Sequence, residues 1–100
     1  MRAILIKPDN TTISLDFKAG QALDILQASV GGYIELIRSS NQFDIYANEE
    51  GKLRNLPFNP IASALAGQPV VGSVVVTGLN CRSLPQKQSD NILKNYAKTS

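Results

Sequence analysis

Val30-Gly31-Gly32-Tyr33-Ile34-Glu35-Leu36 is where the reading frame of this chain changes, from a helical period to an alternating one. Upstream, Ala22, Leu23, Ile25, Leu26 and Val30 recur at three- and four-residue spacings, leaving Asp24 and Gln27 for solvent. That spacing predicts a short amphipathic helix over residues 20–30. Gly31 stands where the left-handed residue of a helix C-cap is expected, and Gly32 lets the chain turn at once into a strand. Both glycines are therefore explained as a structural stop before they are explained as a bare surface for a ligand.

Downstream, Tyr33 to Arg38 and Phe43 to Ala47 read as two strands joined by Ser39-Ser40-Asn41-Gln42. Phe43, Ile45 and Ala47 share one face of the second strand, and Asp44 and Tyr46 the other. In the first strand Tyr33, Glu35 and Ile37 oppose Ile34 and Leu36. The expected consequence is a more polar surface carrying Tyr33, Tyr46, Glu35 and Asp44. Asn48-Glu49-Glu50-Gly51-Lys52-Leu53-Arg54-Asn55-Leu56-Pro57-Phe58-Asn59 follows as a polar irregular stretch, with Gly51 expected at positive φ. Polar loops on a rigid hairpin are frequent places for function. Glu49 and Glu50 are adjacent, so in an extended segment they do not converge as an acid/base or metal pair.

Working outward, Arg2 to Lys7 is apolar on both faces and predicts a strand buried on two sides. Pro8-Asp9-Asn10-Thr11 is a turn. Thr12 to Phe17 alternates, with Ile13, Leu15 and Phe17 facing a core, so these runs form a first hairpin. Asn59-Pro60 reads as N-cap and first helical residue of a short alanine-rich helix ended by Gly67. Val70 to Thr77 is rich in β-branched residues and is expected at the heart of the sheet, with Gly72 marking a bulge or a close backbone approach. Ser89-Asp90-Asn91 caps a final helix with Ile92, Leu93 and Tyr96 as a narrow apolar strip, and if that helix frays Lys94 and Lys98 belong to a tail.

The expected fold is α+β: a single small domain in the order ββαββαβ(α), with a largely antiparallel sheet and helices mainly on one face. Residues 1–78 form the compact domain and 79–100 a basic C-terminal extension, partly helical.

One hundred residues with 43% hydrophobic content suit one domain. The chain has no histidine and no tryptophan, which removes the usual neutral-pH general base and the commonest metal ligand. Its one cysteine, Cys81, makes no internal disulfide and is expected as a small half-buried apolar residue in a reducing cytoplasm. The first apolar run is only four residues, Ala3 to Ile6, so no signal peptide and no membrane span are expected. Charge is uneven. Residues 1–78 hold six Lys/Arg against seven Asp/Glu, while 79–100 hold four against one.

The run Val30-Gly31-Gly32-Tyr33-Ile34-Glu35, the segment Tyr46 to Leu53, the step Leu56-Pro57-Phe58-Asn59 and the later Val71-Gly72-Ser73-Val74-Val75-Val76 together resemble a family of small bacterial, phage and plasmid proteins classed as a domain of unknown function. The resemblance covers roughly residues 2–78. It implies an intracellular accessory protein linked to mobile elements. It nominates Gly31, Gly32, Tyr33, Glu35, Asn48, Glu49, Glu50, Gly51, Leu56, Pro57 and Asn59. Of these, Asn48, Glu49 and Glu50 exceed what a turn requires.

These readings converge on a non-enzymatic binding module without cofactor or metal. Its expected contact surface is Tyr33, Glu35, Tyr46, Asn48, Glu49, Glu50, Lys52 and Asn59, and its expected partner another protein. Two alternatives stand beside it. One is nucleic-acid binding through the basic tail with tyrosines stacking on bases; the other is a nucleotide-like ligand held by a homodimer.

Overall fold

Strand β1 (Arg2–Ile6) carries Ala3, Ile4, Leu5 and Ile6, all buried, because it has a partner on each edge and a covered layer on each face. The computed structural model describes residues 1–40 and 42–96. β2 (Thr12–Asp16) returns antiparallel to β1, placing Leu5 opposite Ile13 and Ala3 opposite Leu15. After a 3-10 turn at Ala19–Gln21 comes helix α1 (Ala22–Val30). Next are β3 (Ile34–Ser39), β4 (Asp44–Asn48), α2 (Pro60–Ala66) and β5 (Val74–Thr77). A second 3-10 turn at Leu79–Cys81 leads to α3 (Gln86–Tyr96). The five strands form one antiparallel sheet in the order β2-β1-β5-β4-β3, so the valine-rich β5 sits at its centre. The expected α+β order and antiparallel sheet are observed.

Strand alternation assigns each helix to a face. Ile4, Ile6, Ile45, Ala47, Val74 and Val76 point to the side covered by α2 and α3, through Ile61, Ala62, Ala66 and Ile92. Ala3, Leu5 and Val75 point to the other side, where α1 lays down Leu26 and Val30. Of the three described helices, α2 and α3 thus share one face, and α1 covers the other. Leu84 and Ile92 are buried in the larger cluster, and the Leu84 amide donates to the Arg2 carbonyl at 2.7 Å. The described part of 79–100 therefore packs into the same core as residues 1–78.

Several local expectations change for identifiable reasons. Ile13 is 36% exposed rather than core-facing, because β2 is an edge strand at the margin of what α1 covers. The Val70 to Thr77 run enters the sheet only at Val74. Gly72 is left-handed at φ 76°, and a Cβ there would lie 2.7 Å from Leu56 Cδ1, so the close approach diverts Val71 into a separate bridge with Phe58. Gly51 is not among the positive-φ residues; it is small because Val71 Cγ2 and the Asn48 carbonyl crowd it. The last helix starts at Gln86, just after Pro85, so Ser89 is an interior residue, buried at 2% exposure, rather than a cap. Asn41 of the predicted turn and Lys98 of the predicted tail lie outside the described residues.

Candidate binding groove

The junction that opens the second hairpin is fastened from β4. Gly31 is left-handed (φ 78°) and its amide donates to the Gln27 carbonyl, closing α1 as expected. Asn48 reaches across from the end of β4. Its Nδ2 donates to the Val30 carbonyl at 3.1 Å, and its Oδ1 accepts the Glu50 amide at 2.8 Å. Arg54 Nη1 donates to the Gly31 carbonyl at 3.0 Å, and the Glu49 amide to the Tyr33 carbonyl at 3.0 Å. Asn48 is buried, so its polar atoms are committed to this fastening.

Asn59 does the equivalent on the other side. Its Oδ1 caps α2 through the Ala62 amide at 3.0 Å, while Nδ2 donates to both the Ile6 and Gly72 carbonyls at 3.0 and 2.9 Å. It is fully buried. The two asparagines expected on a contact surface are thus internal struts whose side chains have partners.

Register separates other expected neighbours. Glu35 is opposite Ala47 and Leu36 opposite Tyr46, and directly opposed residues share a face. Glu35 therefore belongs to the α2 side, whereas Tyr46 and Asp44 belong to the α1 side. The expectation of one surface carrying Tyr33, Tyr46, Glu35 and Asp44 is corrected by this register, which a bulge between Leu36 and Arg38 shifts toward the hairpin turn.

What the register does bring together is a groove of about 260 Å³ between the open end of the β3–β4 hairpin and the turn from α2 to β5. Ala47 and Val70 are buried beneath it, and Ile37 and Val71 are half-buried at its sides. Glu35, Glu49 and Lys52 stand exposed around it, with Gln68 opposite, its Nε2 donating to the Ile37 carbonyl at 3.0 Å. Of the expected contact residues, Glu35, Asn48, Glu49 and Lys52 line this groove. Tyr33 is 66% exposed but outside it, as are Glu50, Tyr46 and Asn59. Gln68 and Val71 were not expected. The Gly67-Gln68-Pro69 turn was visible in the sequence, but nothing local in it announces a neighbour thirty residues earlier.

Tyr46 instead meets Cys81 and Asp44 beneath the Leu79–Cys81 turn. Asp44 Oδ2 accepts the Asn80 amide at 2.8 Å, and Oδ1 is buried without a hydrogen-bond partner among the described residues. Burial foremost, then the neighbouring Cys81 and Asp44, raise the Tyr46 hydroxyl above its ordinary pKa. Burial also pushes the Cys81 thiol up. The Tyr46 hydroxyl pulls it partly back, and the Asp44 charge adds to the rise. Because the thiolate is the nucleophile, Cys81 is expected to react with iodoacetamide at pH 8 more slowly than a small-molecule thiol. Mass spectrometry of timed samples reads this directly; alkylation as fast as the free thiol's would contradict it.

Among the described residues no three His, Cys, Asp or Glu side chains cluster as a metal site. No described helix is long and apolar enough to cross a membrane. A family model with the description "Domain of unknown function (DUF3846)" matches residues 1–97. No curated protein and no solved structure matches the chain.

Proposed function

The chain belongs to the family described as Domain of unknown function (DUF3846), and we propose that it works there as a non-enzymatic binding module whose groove receives a cationic side chain of a protein partner. The observation that carries this reading is the composition of the groove: an apolar floor at Ala47 and Val70, with two exposed carboxylates, Glu35 and Glu49, at its rim. An arginine or long lysine fits that combination, since its methylene stem is apolar and its head is charged. Lys52 at the same rim tempers the negative field and disfavours a partner carrying several positive charges, so the match is to one cation on an otherwise neutral segment. A bacterial, phage or plasmid accessory role in the cytoplasm fits this reading, and so does a homodimer that leaves the groove open.

The test is a panel of short fluorescent peptides with Arg, norleucine or Glu at the central position. The Arg peptide is expected to bind most tightly. Exposed charge pairs contribute roughly 0.2–1 kcal/mol each, so Glu35→Gln with Glu49→Gln is expected to weaken it about fivefold, with the melting temperature little changed. Equal binding of Arg and Glu peptides, or full affinity in the double variant, would sink the reading.

A further inference from the structure

We propose that the opposite end of the molecule carries a second, sequence-independent contact surface for the phosphate backbone of duplex nucleic acid, formed by Arg82, Lys87 and Lys94. It stands independently of the groove reading. A concavity of about 540 Å³ lies between the Leu79–Cys81 turn and the start of α3, and its lining includes Arg82, Ser83, Lys87 and Gln88. None of its described lining residues is acidic. Lys94 continues the surface, because it lies seven residues, or two turns, beyond Lys87 on the same exposed helix face.

Three observations point to an anionic partner. Arg82, Lys87 and Lys94 are exposed and enter no ion pair among the described residues. The first turn of α3 contains no acidic side chain to offset the positive end of the helix dipole. Asp90, the acidic residue on α3, accepts the Gln86 amide at 2.7 Å and keeps its single negative charge, while Asp44 is buried against the Asn80 amide, so three exposed cations stand against one exposed carboxylate. The surface therefore keeps a local excess of positive charge while residues 1–78 are near neutral.

The kind of polyanion follows from what else is there. The exposed face of α3 is Gln86, Lys87, Asp90, Asn91, Lys94 and Asn95, without an apolar side chain to enter a lipid interface. No described aromatic residue lines the concavity, so single-stranded bases have no stacking platform. A duplex presents a charge about every 1.7 Å of its axis, so phosphates are within reach of both lysines, roughly 10 Å apart, whatever the sequence.

The experiment is fluorescence anisotropy of the full chain with two unrelated 20-base-pair DNA duplexes, across 50 to 200 mM salt, beside vesicles of anionic phospholipid. Three phosphate contacts predict a log–log salt slope of about −2.7, a weakening of about 40-fold over that range, and affinities for the two sequences within about twofold. Lys87→Gln with Lys94→Gln is expected to leave a slope of about −0.9, and Arg82→Gln alone should reduce the slope by about 0.9 should the double variant fail to fold. Absence of duplex binding at 50 mM salt, a slope unchanged in these variants, or binding to vesicles without binding to duplex would overturn the proposal.

Discussion

Replacing Asn59 by alanine is expected to destabilise the protein by about 3–5 kcal/mol, a large part of the roughly 5–15 kcal/mol that holds a domain of this size. The cap of α2 accounts for about 1 kcal/mol, since Oδ1 accepts the Ala62 amide. The larger share comes from Nδ2. Its loss removes the hydrogen bonds to the Ile6 and Gly72 carbonyls at a fully buried position. Asn59→Ser separates the two contributions, because its hydroxyl can still cap α2 but cannot reach both carbonyls; it is expected to recover only about 1 kcal/mol. Urea unfolding reads both, as a fall in midpoint with little change in slope. A loss below about 1 kcal/mol for Asn59→Ala would mean that Asn59 is not the strut joining β1, α2 and the Gly72 turn.

The second large effect concerns the helix-to-strand junction. Asn48→Ala is expected to cost about 2–3 kcal/mol, since it leaves the Val30 carbonyl and the Glu50 amide without their partner. Gly32→Ala is expected to cost about 1–2 kcal/mol for a different reason. Gly32 is not at positive φ, so its backbone would accept alanine, but the new Cβ would lie 2.8 Å from Asn48 Nδ2 and 3.3 Å from Arg54 Nη1. The cost arises by displacing the Asn48 side chain from its two bonds. With Asn48 already alanine, Gly32→Ala should therefore cost less than about 0.5 kcal/mol, a coupling of about 1 kcal/mol. Strict additivity would place the clash elsewhere and would detach Asn48 from Gly32.

This pair also explains how far the junction could be read in one dimension. Gly31 was legible as the end of α1 because a left-handed C-cap has a residue preference of its own. Gly32 was legible only as a hinge. That it must be small depends on Asn48, sixteen residues later, and tertiary proximity leaves no trace in the residues around Gly32. Asn59 shows the same division within one side chain: Asn-Pro announced the cap, while the two carbonyls it also holds come from the end of β1 and from Gly72.

The sheet was legible in its strands, whose alternation and β-branched runs act locally, but not in its register. Alternation correctly put Glu35 apart from Leu36, and Asp44 with Tyr46. Which of those faces coincided was decided by the hairpin's pairing, where the bulge before Arg38 sets Glu35 against Ala47 rather than beside Tyr46. That one shift moves Tyr46 under the Leu79–Cys81 turn with Cys81 and leaves Glu35 beside the groove. Of the polar stretch that begins at the last residue of β4, Glu49 and Lys52 keep their place on a candidate site, while Asn48 is its support.

The measurement closest to the central claim, that this scaffold holds the Glu35–Glu49 groove open to a cationic side chain, is the amide footprint of the arginine peptide on the ¹⁵N-labelled protein. Saturable shifts are predicted at the amides of Glu35, Ala47, Glu49 and Val71, with those of Asn80 to Gln88 unmoved. Shifts centred on the Asn80–Gln88 end, or on Tyr33 and the α1 face with the groove silent, would contradict it.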